Sequence, residues 1–328
     1  MAPKIADVAD YAGVSTATVS RVLAGKPHVS EAMRTRVLSA VAELDYRPSR
    51  VARSLRARRA NIIGLVVADI QNPFFMAVAR GVEDIAYQRQ FGVFLCNSDE
   101  DPEKEAFYID LMLAEQVTGV IIASSAADVS HYDRLLGAGI PITAIDRRMP
   151  DLAIDTVRVD NIAAAQRLVD GLIEAGHTRI GAIVPDGSIT TGAERRQGYE
   201  SALRAHGLAV DEALIRMGQP RRQFGYEAAC ALLQADNPPT ALFAGNNLVT
   251  VGALQALHDL SLQPGRDVAV AAFDELDWMS MTAFPLLVAA QPAYAMGRRA
   301  AELIFERTEQ PDLPVQEVVL TARVKRES

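Results

Sequence analysis

From residue 61 onward, short apolar runs alternate with stretches of helical period, and few architectures accept that rhythm. Residues 62–67, 93–96, 120–123 and 142–145 are four to six residues long, apolar but for Thr143 and rich in Val and Ile. Such runs read as buried parallel strands, because helices cover a parallel sheet on both faces. Helical periods fill the gaps, around 75–90, 103–115 and 130–137. A second set follows, with strands at 180–184, 241–243, 268–272 and 287–289 and helices near 162–175, 193–206, 223–235 and 249–259. The expected fold class is therefore α/β: two doubly wound parallel sheets in a bilobed body, with a final helix over 294–307 returning to the first lobe. Sheets of this kind bind ligands beyond the carboxyl ends of their strands, so the cleft between lobes is where a site belongs.

The first sixty residues follow a different pattern and carry a different charge. The chain has 328 residues and a net charge of −8, but residues 1–60 hold +6 and the remainder −14. That asymmetry suits a basic module for a polyanion joined to an acidic body. Ile5, Val8, Ala9 and Ala12 share one helix face, Gly13 ends that helix, and Ser15 is placed to cap a second whose inner face is Val19, Val22 and Leu23. Two helices three or four residues apart read as helix-turn-helix. Thr16, Ala17, Thr18, Ser20 and Arg21 are left facing outward. Small residues permit close approach to a groove, hydroxyls reach phosphates or bases, and Arg pairs bidentately with guanine. A third helix, capped by Ser30 and burying Val37, Leu38, Val41 and Leu44, is expected to end near Tyr46. Residues 48–55 open with Pro-Ser and allow one or two further turns, too few to hold a helix alone in water.

Several predicted strands end in polar or aromatic residues that would line the cleft. These are Asn72 and Phe74 after the first strand, Asp146 and Arg147 after the fourth, and Thr191 and Arg195 after the strand at 180–184. Asn246 follows the strand at 241–243, and Asp274 and Trp278 follow that at 268–272. Asp and Asn suit vicinal hydroxyls, Arg195 supplies a fork, and Phe74 or Trp278 offers a plate for a sugar ring. Some have a plainer reading: Asn246 or Asn247 as a helix cap, Trp278 as core or dimer surface, Arg147 as the partner of a neighbouring Asp. His177, at a helix-to-strand turn, reads as structural.

Taken together, Ile5-Ala6-Asp7-Val8-Ala9, Gly13-Val14-Ser15, Thr18-Val19-Ser20-Arg21-Val22-Leu23, Arg47-Pro48-Ser49 and Val51-Ala52-Arg53-Ser54-Leu55 resemble the headpiece and hinge of the LacI/GalR family of transcription regulators. The resemblance spans essentially the whole chain and implies a periplasmic-binding-protein-like body. It implies a DNA-binding headpiece over 1–47, a hinge helix and linker over 48–60, and an effector-binding and dimerisation domain over 61–328. Lobe 1 would take about 61–159 and 291–320, and lobe 2 about 160–290. It further implies that Thr16, Ala17 and Arg21 read bases, that Ser15, Thr18 and Ser20 contact phosphates or support them, and that Leu55 enters the minor groove beside Ala52 as a wedge. Arg195 and Asp274 coincide with the family's effector positions. Two departures bear on the ligand. Ile189 stands where purine-responsive relatives have a cation, which argues against a purine. Asn246-Asn247 replaces the frequent pair ending in Asp, and with Arg147, Arg221 and Arg222 nearby an anionic ligand is less repelled. A sugar, sugar acid or sugar phosphate all remain open.

Other classes lose support. Cys96 and Cys230 are too few for a disulfide framework, and the N-terminus lacks a secretory pattern, so a cytoplasmic protein is expected. No apolar run reaches the roughly 20 residues that span a bilayer. Phosphate-loop, dinucleotide, hydrolase and zinc motifs are absent, and the five His residues are scattered, so neither catalysis, metal nor cofactor is expected. The headpiece and wedge separate a ligand-gated regulator from a plain solute-binding protein or a sugar-processing enzyme. With no apolar heptad tail after Val324, a homodimer is expected rather than a tetramer.

Overall fold

Gly13, at φ +64, closes the first helix, α1 (Ile5–Ala12), through the left-handed turn that glycine adopts without strain. In the computed structural model, which describes residues 3–23, 29–46, 60–125 and 130–327, the chain divides into two units at Ala60. In the first unit, Ser15 Oγ accepts the Thr18 N–H at 3.2 Å and so caps α2 (Thr16–Leu23). Ser30 Oγ does the same for α3 (Glu31–Glu43), from Met33 N–H at 3.4 Å. Val8, Ala9, Ala12, Val19, Val22, Val37, Ala40 and Tyr46 form the core of this unit. Leu38 does not join it and is 49% exposed. The inner stripe of α3 runs through residues 37, 40, 41 and 44, and a residue one step from Val37 is turned about 100° away. The expected hinge segment 48–55, with Ala52 and Leu55, lies outside the described residues.

The second unit begins with β1 (Ile62–Val67), α4 (Pro73–Gln88), β2 (Gly92–Asn97), α5 (Pro102–Ala114), β3 (Gly119–Ile122), α6 (Tyr132–Gly137), β4 (Ile142–Ile145) and β5 (Asp155–Val159). The chain then crosses into a second lobe. There it forms α7 (Asn161–Glu174), β6 (Ile180–Pro185), α8 (Thr190–Ala205), β7 (Ile215–Gly218), α9 (Arg222–Leu233), β8 (Ala241–Ala244), α10 (Asn247–Asp259), β9 (Ala269–Phe273) and β10 (Leu286–Ala290). It returns through α11 (Ala293–Glu309) and β11 (Glu317–Leu320) to lobe 1, and ends with β12 (Arg323–Glu327) in lobe 2. The sheet orders are β11-β5-β4-β3-β1-β2 and β12-β10-β9-β8-β6-β7, one topology used twice. Every pairing is parallel except β12 on β10.

Four strands escape the apolar pattern. In β5 the 2%-exposed Asp155 takes the Arg307 guanidinium at 2.7 and 3.1 Å and the Gln316 N–H at 2.8 Å, so a buried ion pair interrupts the run. The other three, β7, β11 and β12, are edge strands carrying Arg216, Glu317 and Lys325. Packing of α11 on α4 depends on two glycines. A Cβ on Gly81 would lie 2.2 Å from the Tyr294 carbonyl oxygen, and one on Gly297 2.1 Å from that of Val78. This close approach holds the N-terminus of α4 beside the strand-to-helix crossing at Gln291. His177 Nδ1 sits 2.9 Å from Thr240 Oγ1 at the end of α7, a structural contact. Among the described residues, no helix is long and apolar enough to cross a membrane.

Candidate functional site

The strands β4 and β9 occupy the same place in their sheets, and each ends in an aspartate with left-handed backbone: Asp146 at φ +67 and Asp274 at φ +72. Each amide donates to the adjacent strand, Asp146 to Val157 O at 2.9 Å and Asp274 to Ala289 O at 3.0 Å. Left-handed backbone away from glycine costs of order 1 kcal/mol and gathers at ligand sites. Here it turns both carboxylates into one small cavity between the lobes, of about 30 Å³.

Eight of the nine residues singled out from the sequence line this cavity: Asn72, Phe74, Asp146, Arg147, Thr191, Arg195, Asn246 and Asp274. Trp278 does not. The five-residue 3-10 turn after β9 seats it on the apolar cluster of lobe 2, where it lines an outer groove beside Phe284 and Leu254 and also an adjoining pocket that shares Phe74, Asp274 and Gln291 with this cavity. Glu100 and Gln291 line the cavity and were not anticipated, although each follows a strand end as the others do. Arg221 and Arg222 are engaged elsewhere, with Asp99 and Gln255.

The plainer reading of Asn246 holds beside the positional one. Asn246 Oδ1 caps α10 by accepting the Val249 N–H at 2.8 Å. Asn72 Oδ1 caps α4 through Phe74 N–H at 2.9 Å and also accepts the Asn247 amide at 2.8 Å across the lobes. Arg147 pairs with Glu100, through two hydrogen bonds at 2.5 and 2.7 Å, rather than with the neighbouring Asp146, whose Oδ2 is 3.9 Å from its Nε. Arg195, 3% exposed, donates Nε to Asn161 at 3.0 Å and Nη1 to the Gly245 carbonyl at 2.7 Å. Its guanidinium lies 3.8 Å from the Phe273 ring centroid and its Nη2 4.0 Å from Asp146 Oδ1. Gln291 Nε2 donates to Asp274 Oδ1 at 2.5 Å.

Three polar atoms of the cavity residues, Asp146 Oδ1, Arg147 Nε and Gln291 Oε1, are buried with no hydrogen-bond partner among the described residues. Buried polar groups are ordinarily paired, and two acceptors beside one donor are what the hydroxyls of a polyol satisfy. Burial pushes the Asp146 carboxyl up to about 6, against the pull of Arg195 and Arg147 and with help from Asp274 and Glu100. Further polar links tie lobe 1 to lobe 2. The Arg148 N–H donates to Thr190 Oγ1 at 3.0 Å and its Nε to Glu194 at 2.8 Å, while Arg221 Nη2 reaches the Asp99 carbonyl at 3.2 Å.

In the separate N-terminal unit, Ser15, Thr16, Ala17 and Arg21 are exposed and Thr18 and Ser20 half-buried, while Val19 and Val22 face the core. The exposed side chains of α2 are thus small, hydroxylic or cationic, the set that a groove-reading helix needs.

Residues 4–49 match the family described as bacterial regulatory proteins, lacI family, and residues 60–321 match periplasmic binding proteins and sugar binding domain of LacI family. The chain is 33% identical to the probable HTH-type transcriptional regulator EndR of Paenibacillus polymyxa, over 97% of this chain and 94% of that one. Among solved structures it is similar to a transcriptional regulator CelR–cellobiose complex, at 30% identity, TM-score 0.73 and 99% coverage of both chains. It also shares its fold with the Lac repressor dimer bound to operator and the anti-inducer ONPF, at 23% identity, TM-score 0.86 and coverage of 100% and 99%.

Proposed function

Since this chain belongs to the LacI family of DNA-binding transcription regulators, we propose that it is a repressor that binds a nearly palindromic operator as a homodimer and is controlled allosterically by a small sugar or sugar acid between its lobes. The observation that carries the reading is the convergence of loops from both lobes on one cavity with three unpartnered polar atoms. A ligand there spans the lobes, with Asp146 and Arg147 on one side and Arg195, Asn246 and Asp274 on the other.

On the DNA, α2 enters the major groove with Thr16, Ala17 and Arg21 toward the bases and Ser15, Thr18 and Ser20 toward phosphates. Ala52 and Leu55 meet the minor groove, where a leucine wedge exchanges lost stacking for wrapped contacts. Folding of segment 48–55 is coupled to binding, since so short a helix needs a partner. An effector acts by binding one arrangement of the lobes better than the other, and its differential affinity sets how far operator binding shifts.

The test is operator binding by fluorescence anisotropy, on DNA upstream of the protein's own gene, with sugars and sugar acids first found by thermal shift. A sugar that stabilises the protein should move operator affinity about tenfold or more. A bound sugar that leaves operator affinity unchanged contradicts the allosteric reading, and no preference for any duplex over random competitor contradicts the whole of it.

A further inference from the structure

The ionisable groups lining the cavity are unequal in number: Asp69, Glu100, Asp146 and Asp274 against Arg147 and Arg195. A buried guanidinium fork is the usual receiver of a ligand carboxylate or phosphate. The terminal Nη1/Nη2 edge of Arg147 is already occupied, and its charge is matched. Its Nη1 donates to Glu100 Oε2 at 2.7 Å and to the Ser124 carbonyl at 2.9 Å, and its Nη2 to Glu100 Oε1 at 2.5 Å. Nε and the second Nη2 hydrogen take no part in those bonds, and Nε, 3.9 Å from Asp146 Oδ2, is without a hydrogen-bond partner among the described residues. Arg195 is no freer for an anion, since Nε and Nη1 are engaged and Nη2 faces Asp146.

Glu100 is held in place by unusual backbone. Asp99 and Glu100 are consecutive non-glycine residues at φ +59, fixed where the Glu100 N–H meets the Ala68 carbonyl at 3.0 Å. Such conformations persist where the surrounding structure enforces them, and they gather at binding sites. Arg221 of lobe 2 closes on the same loop through the Asp99 carbonyl.

Resting on the reading of this cavity as the effector site, we propose that Glu100 sets its charge selectivity, matching the Arg147 charge and taking its terminal edge so that uncharged polyhydroxy ligands are accepted and sugar acids and sugar phosphates rejected. A neutral hydroxyl accepts from Arg147 Nε, and others donate to Asp146 Oδ1 and Gln291 Oε1, with no counter-charge required. A carboxylate in their place meets more carboxylates than guanidiniums, and the Arg147 charge is already matched by Glu100.

The test is calorimetric titration at pH 7.5 of the full chain and of Glu100→Gln and Glu100→Asp. The probes are ribose, glucose and galactose, the matching aldonic acids, and glucose 6-phosphate. Glutamine keeps the length and removes the charge, whereas aspartate keeps the charge but withdraws it from one guanidinium nitrogen. The unaltered protein should bind a neutral sugar at least about 30-fold tighter than its acid. Glu100→Gln should shrink that ratio about tenfold or more, with Glu100→Asp in between. An acid bound as tightly as its parent sugar by the unaltered protein overturns the proposal. So does a ratio unmoved in Glu100→Gln, or in Glu100→Asp should the glutamine variant not fold. If no compound of either kind binds the unaltered protein, the effector-site reading falls and the Glu100 proposal with it, whereas acid binding removes the Glu100 proposal alone.

Discussion

Lobe 1 and lobe 2 each send one left-handed aspartate and one arginine to the cleft, but the two arginines are held by different means. Arg147 is locked to a carboxylate, Glu100, within its own lobe; Arg195 lies against the Phe273 ring and hydrogen-bonds an amide and a backbone carbonyl. Repetition of one βα topology fixes where such groups arrive. Their immediate neighbours decide whether the charge they bring is available to a ligand. An ion pair matches the charge of Arg147 within its own lobe, while Arg195, stacked on a ring, sets its Nη2 4.0 Å from Asp146 of the opposite lobe.

The largest test of that contrast is Arg195→Ala. If Arg195 is the ligand-facing cation, its loss should weaken effector binding about 100-fold, near 3 kcal/mol for a buried charge-assisted contact, and leave operator affinity without effector intact. Calorimetry and anisotropy on the same variant check both halves, and normal effector binding would remove Arg195 from the site.

The paired aspartates give the next test. Burial raises the Asp146 carboxyl from 3.8 to about 6, so its ionised form opposes folding by an amount of order 2–3 kcal/mol. The native state holds this proton more tightly than the unfolded chain does. The group's contribution to stability is therefore intact below about pH 4 and lost as pH rises through 6. Asp146→Asn should accordingly raise the melting temperature at pH 7.5 while weakening the effector. An unchanged or lower melting temperature would show that Asp146 is not strained by burial.

How much of this was readable beforehand follows the range of the interactions. Gly13, Ser15 and Ser30 act within a few residues of themselves, so α1, α2 and α3 were legible, as were the central strands with their apolar runs. The strand β5 was hidden by Asp155, whose partner Arg307 lies 152 residues away. Strand-end position located eight cavity residues, but it did not tell that Trp278 lines the adjoining pocket instead, because the direction of a short 3-10 turn depends on the core it packs upon. Glu100 and Gln291 were within reach of the same rule. What sequence alone withholds is the Arg147–Glu100 pair, which forms between two separate loops.

Effector binding should also report the Asp146 proton directly. Ligand hydroxyls donate to the carboxylate, so the ionised form is the one that binds. Affinity should hold above about pH 6 and fall toward tenfold per pH unit below it, a dependence that Asp146→Asn abolishes. A flat profile between pH 5 and 7.5 would place the ligand away from that oxygen.

The smallest effect belongs to the rim. Arg148 is half-exposed where it meets Glu194, so Arg148→Ala should change effector affinity only about two- to fivefold, within the range of a solvent-screened pair. A loss as large as that from Arg195→Ala would mean that the links between lobes, rather than the cavity, dominate ligand capture.

The most direct measurement is operator affinity, by anisotropy at one salt concentration, for the unaltered chain and Arg195→Ala, each with and without a sugar shown by calorimetry to bind. A shift of about tenfold or more in the unaltered chain and none in Arg195→Ala is the expected result. Equal operator affinity with and without bound sugar in the unaltered chain would contradict the account.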